Sequence, residues 1–239
     1  MPTLCDYPIS SNALKVRFLL AELDVPYERR EIPITRPRPD DYVALNPLAG
    51  IPTLIDGDLV LTESNAILRY LANRCGGEEL YPADPVERAP VDEFLDRYSL
   101  TLRPALFSVE VPALGFPPQG GFGSAPADPD AAVARAAEIA ATLRTFDAII
   151  DDGGYALGRF TISDCAAGPA LYRTTHTGMD LSPYPICCGG ARPSVRGPPS
   201  RRRGPSSSRH GLIHGRDVDF GTCPTSMISR NTTPNSSSG

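Results

Sequence analysis

Residues 46–67 read NPLAGIPTLIDGDLVLTESNAI. TLID (53–56) and LVLT (59–62), separated by Gly57-Asp58, have the pattern of two short strands joined by a tight turn. Pro52 stands just ahead of the first of them, where its missing N–H would otherwise interrupt a strand ladder. Glu63-Ser64 follow the second strand, and SNAILRYLANR continues at helical spacing until Gly76-Gly77 stops it. A strand headed by proline and a helix opened by an acid both ask for an explanation.

Working outward, TLCDY (3–7) is a short apolar-rich strand. ALKVRFLLAEL follows at helical periodicity, with Leu14, Phe18 and Ala21 on one face and Val16, Leu19, Leu20 and Leu23 widening it. Asp24-Val25-Pro26 ends that helix. YERREIPI (27–34) reads as a second strand, placed at a sheet edge by Pro33, and a weak helix follows around residues 40–45. The order over residues 1–76 is β-α-β-α-β-β-α, the layout of an α/β thioredoxin-like domain.

Residues 77–84 form a linker, and an all-α helical domain is expected over 85–180. Asp84-Pro85 with Glu87 opens a helix that runs to about Ala113, bent near Pro104. GFPPQGGFGSAP is a loop, and Asp128-Pro129 starts an Ala-rich helix. Thr161 and Asp164 have the spacing of a capping box, flanked by Phe160 and Cys165 as a hydrophobic staple. After about residue 184 the chain changes character. Gly, Pro and Ser make up 25 of the last 55 positions, which predicts a disordered tail over 181–239 because so little apolar area is available to offset ordering entropy.

Charge is divided in the same way. Eight Arg and two Asp give residues 185–239 a charge of +6, which leaves −11 for residues 1–184 and −5 for the whole. That balance argues against nucleic-acid binding, although Arg201-Arg202-Arg203 could be read as a basic patch. No run approaches the roughly 20 apolar residues of a membrane span, and no secretory signal is recognisable at the N-terminus. The six Cys form no CxxC pair, so free thiols in the reducing cytoplasm are expected. Cys187-Cys188, His210, His214 and Cys223 fit no standard zinc spacing, so no metal is expected.

Three stretches together carry a resemblance: LCDYPISSNALKVRFLLAELDVPYE, NPLAGIPTLIDGDLVLTESNAILRYLA and GRFTISDCAAGPALY. Over residues 2–180 the chain resembles the cytosolic glutathione S-transferases, nearest the serine-type bacterial, zeta-like and theta-like members. The resemblance implies a thioredoxin-like domain followed by a helical one, a homodimer, and glutathione as cosubstrate. It implies that Pro52 is cis and that Ile51 offers its backbone to the cysteinyl part of glutathione. It assigns the γ-glutamyl end to Glu63 and Ser64, the acid for the amino group and the Ser with the helix amides for the carboxylate. It places the catalytic hydroxyl on Ser10, donating to the glutathione sulfur and so favouring thiolate over thiol, with Ser11 also at the glutathione site. The thiolate would then attack a small electrophile.

Plainer readings stand beside these. Ser10 or Ser11 could be only an N-cap, which leaves Ser11 or Asn12 as alternative sulfur partners, and Thr62 could cap the helix that Glu63 opens. Tyr7 is expected to point with its strand, and Cys5 to be a core thiol rather than a nucleophile. Where the family continues with further helices, this chain has SPYPICCGGARPSVRGPPSRRRGPSSSRHG. One Lys against 22 Arg suits a GC-rich gene, so a frameshift near residues 184–188 is one explanation of the tail. On that account the helices before it lose part of their apolar cover. The rival functions are a non-catalytic transferase-like binding module, a glutathione-dependent isomerase or dehalogenase, and an inactive truncated relative.

Overall fold

Strand β1 (Thr3–Asp6) lies inside a four-stranded sheet, parallel to β2 (Glu28–Glu31) on one side and antiparallel to β3 (Thr53–Asp56) on the other. β3 pairs antiparallel with β4 (Leu59–Leu61), giving the order β2-β1-β3-β4. This computed structural model describes residues 1–34, 36–114, 128–149, 155–181 and 183–184. A parallel pair needs a crossover, and α1 (Ser11–Glu22) supplies it. α2 (Asp40–Leu45) and α3 (Ser64–Arg74) complete the thioredoxin-like arrangement. α3 ends with Gly76 at φ +76°, a conformation that costs glycine little.

Alternate residues of β1 serve opposite faces. Leu4 joins Leu54, Val16, Leu19, Leu20, Ile67 and Leu71 in the main core, whereas Cys5 joins Ile32 and Tyr42 on the other side. Each such side chain, fully buried, contributes about 1.5–3 kcal/mol. Cys5 is 0% exposed, and burial pushes its thiol above the ordinary range, so it is a core residue. β2 is an edge strand and is mostly exposed.

The helical part begins with α4 (Pro85–Arg97), whose Asp84 cap accepts from the Val86 and Glu87 amides at 2.8 and 3.0 Å. A π-helical turn (Tyr98–Leu102) connects it to α5 (Arg103–Leu114). The irregularity therefore precedes Pro104 instead of centring on it. The Arg103 amide donates to the Tyr98 carbonyl, five residues back, and Pro104 has no N–H to close a narrower turn. α6 (Pro129–Asp147) is capped by Asp128, which accepts from the Ala131 amide at 3.0 Å.

α7 (Ile162–Thr174) opens on a complete capping box. Thr161 accepts from the Ser163 amide at 3.2 Å, and Asp164 accepts from the Thr161 amide at 2.8 Å. Phe160 meets Phe18 and Tyr155 edge-on, with ring centroids 6.0 and 6.1 Å apart. α7 packs on α1, and Ile162, Cys165, Ala166 and Ala170 are buried, so its apolar face is covered. The same continuous core includes Phe94, Leu95, Leu102, Leu106, Leu143 and Leu171. Among the described residues no helix is long and apolar enough to cross a membrane. Residues 185–239 lie outside the described residues, and with them the five His and Cys candidates for zinc; Leu181 and Tyr184, inside the span expected to be a disordered tail, are instead buried in the main core.

Candidate functional site

The loop from β1 into α1 is fixed from below. Asp6 is fully buried and carries ion pairs to Arg17 (3.3 Å) and Arg29 (2.6 Å). Arg17 also donates to the Pro8 carbonyl at 2.8 Å, and the Ser10 amide donates to the Tyr7 carbonyl at 2.9 Å. Ser10 is the N-cap of α1, its Oγ accepting from the Ala13 amide at 3.3 Å. An oxygen used as acceptor leaves the hydroxyl hydrogen available to donate outward. The plain cap reading of Ser10 and its reading as a donor are therefore compatible.

The same loop is held from above by the helical part. Arg103 Nη2 donates to Ser11 Oγ at 2.9 Å, and Arg173 Nη1 donates to the Ile9 carbonyl at 2.8 Å. Both guanidinium groups converge on Glu110, whose side chain is 0% exposed: Arg103 at 3.3 Å and Arg173 through a short contact. Thr174 Oγ1 donates to the other Glu110 oxygen at 3.2 Å. A buried carboxylate needs such partners, and it orients both arginines.

The segment ahead of β3 is shaped by α2. The buried Tyr42 hydroxyl donates to the Gly50 carbonyl and lies 3.0 Å from Thr53 Oγ1. Asn46 Nδ2 donates to the same Gly50 carbonyl at 3.0 Å and to Thr53 Oγ1 at 3.2 Å. The Ile51–Pro52 peptide is cis, as the resemblance implies, and so is Arg36–Pro37.

At the start of α3 the N-cap is Glu63, not Thr62. Glu63 is exposed and has φ 63° and ψ 107°, an uncommon backbone state for a residue with a side chain. Ser64 is 9% exposed and begins the helix. The first amides of α3 have no intrahelical acceptors.

A cavity of about 340 Å³ lies between the two parts. It is lined by residues 9–12 and 49–51, by Arg36 and Arg38, and by Arg103, Phe107 and Arg173. Ser10, Ser11, Asn12 and Ile51 therefore line one cavity, whereas Pro52, Glu63 and Ser64 are not in its lining. Among the described residues this lining has four Arg and no carboxylate. No group of three or more metal-ligating side chains occurs among the described residues.

Arg103, Glu110 and Arg173 were not marked by the sequence patterns. The available signal was a carboxylate, Glu110, inside the apolar run FSVEVPAL. Lys15, in the apolar face of α1, was missed in the same way.

Comparison with known proteins adds the following. The glutathione S-transferase N-terminal domain family matches residues 4–79. Glutathione S-transferase GstB of Escherichia coli is 32% identical over 192 residues, covering 77% of this chain and 88% of the relative. A stringent starvation protein A homolog of Coxiella burnetii is 30% identical, covering 76% and 79% respectively. The theta class glutathione S-transferase of Xanthomonas axonopodis pv. citri, solved with glutathione bound, superimposes with TM-score 0.68 at 30% identity, covering 82% of this chain and 93% of that one.

Proposed function

The chain belongs to the glutathione S-transferase family, and we propose that it joins the thiolate of glutathione to small electrophiles. The observation that carries this is that Ser10 and Ile51 line one cavity, together with Arg103, Phe107 and Arg173 of the helical part. An extended peptide whose cysteinyl backbone pairs with Ile51 brings its sulfur to the N-terminus of α1.

In the mechanism we infer, the Ser10 hydroxyl donates a hydrogen bond to that sulfur, and the positive end of α1 adds its field. Both favour the thiolate, the reactive form. The sulfur lone pair then forms a C–S bond with an electrophilic carbon, and a leaving group departs or a π bond shifts and takes a proton from water. Ser11 is the lesser candidate because it is only 5% exposed.

Glutathione's γ-glutamyl end reaches α3, where Ser64 and the free amides of the first turn suit the carboxylate and Glu63 suits the ammonium. Arg36 lines the cavity, where it suits the ligand's glycyl carboxylate. Phe107 and Pro104 give the remaining volume an apolar side for the electrophile. A cytoplasmic homodimer is the assembly proposed with this activity.

Calorimetry with glutathione tests the binding step; absence of heat at millimolar ligand removes the assignment. The similarity to a starvation protein homolog favours a second reading, a binding module without turnover. Glutathione binding without conjugation of any of a panel of aryl halides and enones would select it.

A further inference from the structure

Lys15 is the one lysine of a chain with 22 arginines, and it is 3% exposed. Its Nζ donates to Asn65 Oδ1 at 2.6 Å and lies 5.5 Å from the Tyr98 ring centroid. No carboxylate stands within ion-pair range of it among the described residues. Its hydrogen-bond, ring and charged neighbours come from three elements. From α3 come Asn65, the exposed Glu63 and Arg69, which is itself paired with Asp92 at 2.6 Å. The π turn contributes Tyr98, and α5 contributes Arg103. Two of these charges are like, and the one acid faces solvent.

A buried ammonium without a counter-charge is costly, and burial followed by Arg103 lowers the pKa of Lys15 to about 7, against an opposing pull from Glu63. An arginine could not release its proton there; a lysine can. Asn65 has a fixed orientation, because its Nδ2 donates to Ser99 Oγ at 2.8 Å and to the Leu95 carbonyl at 3.4 Å. It directly follows Ser64 in the first turn of α3, where the α-carboxylate of glutathione is placed above.

We propose that Lys15 is a positioning residue for glutathione: its buried ammonium, held on Asn65 beneath the α3 N-terminus, is the partner charge of the ligand's α-carboxylate, so that binding is coupled to uptake of a proton by Lys15. This rests on the glutathione reading above. The carboxylate restores the opposite charge that the protein does not itself provide, and Asn65 keeps the ammonium aligned with it. Lys15 is too buried to touch the ligand, so it acts through the field and through Asn65.

The sign follows from linkage. The ligand raises the proton affinity of Lys15, so binding is strongest below about pH 7 and weakens as pH rises through that region. The probe is S-methylglutathione, which has no thiol proton to lose. Titration calorimetry in two buffers of different ionisation enthalpy reads the proton count directly. The expected result is uptake of roughly half a proton near pH 7.5 and an affinity roughly tenfold weaker at pH 8.5 than at pH 6. Lys15→Met should take up none and bind roughly tenfold more weakly at pH 6. Asn65→Asp, which supplies an internal carboxylate, should also abolish uptake because Lys15 then keeps its proton in the free protein. Binding that takes up no proton in the wild-type chain, or equal uptake by Lys15→Met, overturns the proposal alone. Should Lys15→Met fail to fold, unchanged uptake by Asn65→Asp does so as well. Absence of binding at every pH overturns the glutathione reading together with it.

Discussion

Arg103 Nη2 lies 2.9 Å from Ser11 Oγ, joining positions 92 residues apart in sequence. The helical part thus reaches directly into the first turn of α1. Arg173 makes a parallel contact to the Ile9 carbonyl, and Glu110 ties both arginines together. The Ser10 loop is therefore positioned by side chains from both parts of the molecule, with Arg17 acting from the sheet side.

If Ser10 donates to sulfur, Ser10→Ala should lower kcat by about 10²-fold, of the order seen when one donor to a developing or stabilised anion is removed. Glutathione affinity should change by only a few fold, because backbone and end-group contacts remain. Steady-state rates with a chloronitrobenzene and calorimetry on the same variant check this. An undiminished rate transfers the role to Ser11 or Asn12.

Glu110→Leu leaves Arg103 and Arg173 buried beside each other without their shared carboxylate. The expected loss of stability is about 3–5 kcal/mol. Replacing both arginines by Met in the same variant should recover much of it, since an apolar cluster has no desolvation to compensate. Urea denaturation of the variants measures both changes.

Asn46→Ala removes two hydrogen bonds, to the Gly50 carbonyl and to Thr53. Tyr42 still holds both groups, so the stability loss should be near 1–2 kcal/mol. The loop before Ile51 loses a constraint, and glutathione binding should weaken by a larger factor than the stability loss alone produces at the working temperature. Calorimetry at a temperature where the variant is fully folded separates the two effects.

Lys15 also gives the ligand-free protein a pH dependence. Its pKa falls from 10.5 in the unfolded chain to about 7 in the folded one. The folded state therefore binds fewer protons between those values, and stability should rise with pH from about 7 towards 10.5. The penalty is full below pH 7 and is on the order of a few kcal/mol. Lys15→Met removes it, so the variant should be more stable than the wild-type chain at pH 6 and show a flatter stability profile up to pH 9. Urea midpoints at pH 6, 7.5 and 9 test the slope.

The strands, the helices and the caps were legible because their signals are local. Period-two and helical apolar patterns, the Gly57-Asp58 turn, Asp84-Pro85 and the Thr161–Asp164 box all act within a few residues. The break before Pro104 was displaced because a proline's missing N–H is felt by the preceding turn, where a π turn absorbs it. The candidate residues Ser10, Ile51, Glu63 and Ser64 were marked by the resemblance to the family, which cannot say which of them line one cavity.

By itself, the sequence determined the order and type of the elements and the chemistry available at each loop and helix start. Tertiary structure alone decided that Arg103 and Arg173 meet on Glu110, that Ser11 receives Arg103, and that the single lysine lies buried against Asn65. The physical reason is distance along the chain. Local patterns encode which face of an element is apolar, whereas the charge on a buried group depends on partners that only packing brings within a few ångströms.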